Sequence, residues 1–208
     1  MSTESAATTP VPDADKAKRQ RDAVQALLDR PAATSDGSIR LQGVAHEYTV
    51  HAAFLPVQAT GLDAGGGPPE AAVFTTAYLK KGVEAARRPV CFAFNGGPGS
   101  ASLWLHLGAL GPKRVVVQDD GHAPKPPYAA VDNPDSWFEH FDLVFIDPPH
   151  TGWSLAASDE ARKKILSVDG DVQALTVVMR LWLTRHRRWG SPVYLAGESY
   201  GTTRGAAL

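Results

Sequence analysis

The 208-residue sequence predicts an α/β fold: a mostly parallel sheet with helices on both faces, preceded by antiparallel strands. Three observations carry that prediction. Short, continuously apolar runs at 89–94 and 143–146 have the length and composition of strands buried on both faces, and the apolar run at 193–196 has strand character. Between the last two, Val172, Leu175, Met179 and Trp182 recur at helical spacing, so strand and helix alternate. Earlier, 43–51 and 71–79 are rich in Val, Tyr, Phe and Thr with partial alternation, which reads as an antiparallel pair.

Composition narrows the class. Apolar residues make up 43% of the chain and charged residues 21%, enough for one ordinary globular core. A net charge of -1 gives no electrostatic case for nucleic acid or an anionic membrane as partner. Cys91 is the only cysteine, which excludes an intramolecular disulfide and a thiolate metal cage. No cofactor or metal is implied.

In chain order, residues 1–12 are small and polar and read as a disordered tail. They lack the apolar core of a secretory signal, and no apolar run is long enough to span a bilayer. The expectation is a cytoplasmic protein, with secretion left open. Segment 13–30 reads as a helix over 13–29, with Val24, Leu27 and Leu28 on one edge and Pro31 as its stop. Its Lys16, Lys18, Arg19 and Arg21 have acidic neighbours in Asp13, Asp15 and Asp22, as on a solvated helix face. The remainder, 31–208, reads as one domain. Gly65, Gly66 and Gly67 lack the Lys-Ser/Thr and the helix of a phosphate loop, so they read as a flexible connection between the antiparallel strands.

The strand at 89–94 runs into Asn95-Gly96-Gly97-Pro98-Gly99-Ser100. A glycine-rich loop at the carboxyl end of a buried strand can offer backbone N–H groups to a phosphate or to a developing oxyanion. Ser102 breaks the dinucleotide fingerprint. A short helix or turn at 101–110, a strand at 114–118 and a proline-rich loop at 123–127 follow. The strand at 143–146 stops at Asp147-Pro148-Pro149. The next helix can be capped by Ser167 or Asp169, while Arg185, Arg187 and Arg188 suit its negative end, and Gly190 and Pro192 terminate it.

Gly197-Glu198-Ser199-Tyr200-Gly201 then matches G-x-S-x-G between an apolar strand and a run of small residues fit for a helix. That is the context of a nucleophile elbow, where glycines allow a turn too sharp for flanking side chains. The N–H of Tyr200 and one from the glycine loop would together face an oxyanion. Three loops, at Asn95, Asp147 and Ser199, are thus expected at the carboxyl edge of one sheet, where open α/β sheets bind ligands.

Four stretches resemble the serine carboxypeptidases, a family of α/β-hydrolases: FNGGPGSASLW (94–104), NPDSW (133–137), LVFIDPPHTGWS (143–154) and YLAGESYG (194–201). The resemblance implies a truncated α/β-hydrolase fold and a serine-type carboxypeptidase acting on peptide or protein C-termini. Position by position, it implies Ser199 as nucleophile, the N–H groups of Gly97 and Tyr200 as oxyanion hole, and Asn95 with Glu198 as the pair binding the substrate's terminal carboxylate. Two carboxylates in contact cannot both be charged cheaply, so Glu198 is expected to hold a proton when substrate binds.

The chain also departs from the family. Ala93 stands where members carry Trp, Ser100 where they carry Cys, and His150 where they carry Gly. In α/β-hydrolases the acid and histidine follow the nucleophile, yet residues 200–208 contain no Asp, Glu or His. The chain therefore reads as the amino-terminal portion of a longer enzyme, with an incomplete domain over 31–208 and the triad Asp and His beyond Leu208. By itself it is expected to be inactive and, with the strand at 193 uncovered, poorly soluble. Among upstream histidines His150 lies nearest the active edge, but reads as a loop residue. Two alternatives stay open, an esterase or acyltransferase on the same scaffold and a non-catalytic binding module. Oligomeric state is left open as well.

Overall fold

The computed structural model describes residues 13–58 and 67–208. The expected tail at 1–12 and most of the glycine-rich connection lie outside the described residues. In chain order the strands are β1 (Ala33–Leu41), β2 (Val44–Gln58), β3 (Pro69–Lys80), β4 (Val90–Phe94), β5 (Lys113–Val115), β6 (Ala130–Asp132), β7 (Asp142–Ile146), β8 (Leu155–Ala156) and β9 (Val193–Gly197). The helices are α1 (Asp13–Leu28), α2 (Leu103–Leu105), α3 (Asp159–Ile165), α4 (Val168–Arg185) and α5 (Tyr200–Ala207).

The architecture is the α/β one the sequence predicts, built on a mixed sheet in the order β1-β2-β3-β7-β4-β9, with β8 added on β3. Its carboxy-terminal half is parallel: β4 lies between β7 and β9 and runs parallel to both. Its amino-terminal half is antiparallel from β1 through β3 to β7. That half has one strand more than expected. In β1 the sequence ATSDGSIRL has almost no apolar alternation, so periodicity conceals it. Register holds it instead: it pairs with β2 from Ala33 opposite Ala52 to Leu41 opposite Val44, across a two-residue turn at Gln42 and Gly43. Both turn residues have positive φ, 47° and 83°, the twist that a tight hairpin requires. The strand expected at 114–118 is shorter than predicted. β5 covers only Lys113–Val115 and pairs with β6 outside the main sheet, leaving Val116 and Val117 exposed.

Helices cover both faces. On one, Val178, Trp182 and Leu183 of α4 and Ile165 of α3 join Leu55, Val73, Phe92, Val144 and Ile146 in a common core. The Trp182 indole meets the Phe92 ring edge-on at 5.4 Å, and truncating such a buried aromatic costs about 3–5 kcal/mol. On the other face, α2 passes into a wider helical turn at His106–Leu110. Leu110 and Phe138 there pack on Tyr48, Tyr78, Cys91, Leu143 and Phe145. The α1 helix buries Val24 against Ala72 and Ala157. Ser158 caps α3 by accepting from the Ala161 N–H at 3.0 Å, and Ser167 caps α4 by accepting from Gly170 N–H at 3.1 Å.

Two further points differ from expectation or bear on the site. Arg188 is not a solvated charge at a helix end. It is buried, and its guanidinium donates to Asp142, to Ser191 and to the Arg88 carbonyl. At the sheet's other margin β9 is an edge strand, with Val193, Tyr194 and Leu195 all exposed. Among the described residues no helix is long and apolar enough to cross a membrane, and no cluster of three His, Cys, Asp or Glu could hold a metal.

Candidate active site

The parallel strands β7, β4 and β9 end side by side, so the loops that leave them share one edge. Backbone pairing brings Phe94 opposite Gly197, which fixes the start of the glycine loop beside the start of the elbow. Three glycines then permit an approach that no other residue would. A Cβ on Gly96 would lie 2.4 Å from the Tyr200 N. One on Gly197 would lie 2.1 Å from the Gly201 carbonyl oxygen, and one on Gly201 would lie 2.7 Å from that of Phe94. The pattern of the loop and the elbow is therefore a packing requirement between the two segments, as well as a turn preference within each.

Ser199 takes φ 54° and ψ -124°, a sparsely populated region for a residue with a side chain. It lies at the junction of β9 and α5, exposed, with its hydroxyl making no capping bond to the helix that follows. Gly97, with φ 106°, is likewise exposed. Among the described residues the N–H groups of Gly97 and Tyr200 enter no backbone hydrogen bond outside the regular ladders. They are the donors predicted for an oxyanion.

Asn95 is fully buried at the root of the loop. Its Oδ1 accepts from the Leu105 N–H at 3.1 Å, and its Nδ2 donates to Glu198 Oε2 at 3.1 Å. The Glu198 side chain is exposed beside Ser199. The structure thus brings the predicted pair together directly, one member buried and one accessible. Ala93 is fully buried in the core with Phe145 and Leu143, so its small side chain faces other core residues.

The third loop is tied to the first. Asp147 Oδ1 accepts from the Ser102 N–H at 2.9 Å and the Ser102 hydroxyl at 2.8 Å, while its Oδ2 accepts from the Trp153 N–H at 3.1 Å. Gly152 is required there, since a Cβ would lie 2.1 Å from Asp147 Oδ2. Leu103, Trp104 and Trp153 stand exposed on these loops.

No described histidine serves Ser199. His106 lies 2.7 Å from the Tyr78 hydroxyl and stacks on Phe145, and burial depresses its pKa to about 4. His186 stacks on Trp182 with His51 against its edge, and burial likewise depresses its pKa to about 4. His150, at φ 64°, is pushed below the usual imidazole value by burial and then by Arg162 of α3. Its neighbours are on α3, not at the elbow.

Sequence reasoning missed two residues that hold the site from below. Arg204, in α5, is 2% exposed. Its Nε donates to Asp171 Oδ2 at 2.7 Å and its Nη1 to the Asn95 carbonyl at 2.7 Å. Burial pushes the Asp171 carboxyl above the usual carboxylate range, against the pull of Arg204. The available signal was a lone arginine among small residues directly after the elbow.

Comparison with known proteins agrees with this geometry. A pheromone-processing carboxypeptidase of Yarrowia lipolytica is 33% identical over 109 residues, covering 51% of this chain and 16% of the relative. A pheromone-processing carboxypeptidase of Arthroderma otae is 29% identical over 184 residues, covering 84% of this chain and 26% of the relative. A serine carboxypeptidase-like protein of Arabidopsis thaliana is 27% identical over 126 residues, covering 59% and 28%. The chain thus spans well under a third of the length of these relatives. A solved structure described as a proposed acetyl xylan esterase of Bacteroides fragilis covers 94% of this chain and 49% of its own, at 13% identity and a TM-score of 0.45, a likeness too loose to carry an argument. The family model for serine carboxypeptidase matches residues 73–206, more than half of the sequence and every loop of the site. This chain belongs to the serine carboxypeptidase family.

Proposed function

We propose that the protein is a serine-type carboxypeptidase that releases C-terminal residues through an acyl-enzyme on Ser199. The observation that carries the reading is the Asn95–Glu198 hydrogen bond beside a strained, exposed Ser199. In this reading the Ser199 Oγ attacks the carbonyl carbon of the last peptide bond. Its proton passes to a base supplied from outside the described residues. The carbonyl oxygen becomes an oxyanion between the N–H groups of Gly97 and Tyr200. Collapse breaks the C–N bond, the amine leaves with a proton, and water later cleaves the ester.

Asn95 and Glu198 would hold the substrate's terminal carboxylate through one shared proton. Gln is a permanent donor, so Glu198→Gln should still bind free carboxylates. The test uses the protein expressed from its full reading frame and an N-blocked dipeptide, its C-terminal amide and its C-terminal ester. The free carboxylate should be preferred over the amide by about 100-fold in kcat/KM, the upper end of the roughly 1–3 kcal/mol that one unsatisfied hydrogen-bonding group costs. Equal turnover of all three substrates would overturn the carboxypeptidase reading. Equal turnover would favour the esterase or acyltransferase reading.

A further inference from the structure

A buried guanidinium is expensive to desolvate, and a single carboxylate partner is often not enough to offset the cost. Arg204 has four partners. Besides Asp171 and the Asn95 carbonyl, its guanidinium lies 5.5 Å from the Phe94 ring centroid and 5.2 Å from that of Tyr200. One fork therefore touches the last residue of β4, the first residue of the glycine loop, the residue after the nucleophile and the first turn of α4.

The Asn95 contact is the informative one. A peptide unit is planar, so holding the Asn95 carbonyl fixes the rotation of the whole plane joining it to Gly96. Gly96 and Gly97 have no side chains to set that rotation themselves. The Tyr200 ring is gripped by the same guanidinium, so the two segments that carry the oxyanion donors are referenced to one rigid group. We propose that Arg204, oriented by Asp171, is a positioning residue that sets the spacing of the Gly97 and Tyr200 N–H groups. This deepens the acyl-transfer reading above and rests on it.

The test is Arg204→Lys in the protein expressed from its full reading frame. A lysine keeps the charge but cannot bridge Asp171 and the Asn95 carbonyl as a fork does. The rate constant for fluorophosphonate labelling of Ser199, and kcat, should fall about 10- to 100-fold, the scale of a small misplacement of reacting groups. KM should stay within about 2-fold, because only the transition state uses the oxyanion donors. A merely structural role would lower the unfolding midpoint and the labelled fraction, while leaving the rate constant of the folded fraction unchanged. That result in folded Arg204→Lys overturns the proposal. Should Arg204→Lys fail to fold, Asp171→Asn, which keeps the guanidinium, is read the same way. Loss of the fold in both variants assigns the pair to stability and also overturns it. Absence of labelling in the unmodified protein would sink the acyl-transfer reading itself, whereas normal labelling in all variants sinks only the positioning role.

Discussion

The two ends of the parallel strands treat their polar groups in opposite ways. At the amino ends, Asp142 is 2% exposed and accepts from the Lys80 N–H, Arg88 Nε and Arg188 Nη1 at 2.9, 2.8 and 2.5 Å. Arg88 also donates to the carbonyls of Phe138 and Phe141, and Arg188 to Ser191 Oγ. The network closes on itself and leaves nothing for a ligand. At the carboxyl ends, Asp147 and Arg204 are equally buried and bonded, but their partners are loops that present Glu198, Ser199 and Gly97 to solvent. Both ends contain buried charge. At one it joins strands to each other, and at the other it steadies a surface whose outermost groups remain available.

That contrast can be broken most forcefully at the amino end. Asp142→Ala leaves two buried guanidinium groups without their carboxylate, and unfolding in urea should show a loss of about 3–5 kcal/mol. Any activity of the variant that remains folded should be unchanged. At the carboxyl end, Gly197→Ala drives a Cβ into the Gly201 carbonyl. It should cost about 1–3 kcal/mol, and in contrast to Asp142→Ala it should depress the labelling rate of Ser199 even in folded protein.

Acid sharpens the comparison, because His106 lies beside the Asp147 end and His186 beside the Asp142 end. Each has a folded pKa of about 4 against 6.5 for the free side chain. Above pH 6.5 both states carry neutral imidazole. As pH falls toward 4 the unfolded chain takes up protons that the folded one does not, so stability is lost through that window. Each histidine should contribute about 1 kcal/mol of loss between pH 7 and pH 5.5. Thermal melts of His106→Gln and His186→Gln should each show a shallower acid limb. The smallest effect has the opposite sign. Ser199→Gly relieves the positive φ and should raise stability by about 1 kcal/mol or less while abolishing activity. A loss of stability in that variant would contradict strain at the elbow.

Legibility in the sequence divided along the same line. The carboxyl-end loops were readable because close backbone approach demands glycine at fixed offsets, at Gly96, Gly97, Gly197 and Gly201, and few other residues tolerate it. The apolar strands β4 and β7 were readable because burial on both faces leaves a continuous hydrophobic run, and β9, an exposed edge strand, because its short apolar run leads straight into the elbow. The amino-end clamp was not. Arg188 looks the same in sequence whether it faces solvent or Asp142, and only the fold brings partners 46 residues apart within bonding distance. Arg204 was obscured for the same reason, its partner Asp171 lying 33 residues away on another helix. β1 escaped because ladder hydrogen bonds and a tight turn, not side-chain burial, make it a strand.

The roles given to Gly97, Ser199, Tyr200 and Arg204 all require the carboxyl edge to be an acyl-transfer site. The most direct measurement is fluorophosphonate treatment of the protein expressed from its full reading frame, followed by mass spectrometry of the peptide containing residue 199. A single phosphonyl adduct on Ser199, absent in Ser199→Ala of unchanged stability, is the predicted result. A folded protein that carries no adduct there, or carries it on another serine with Ser199 untouched, would contradict it.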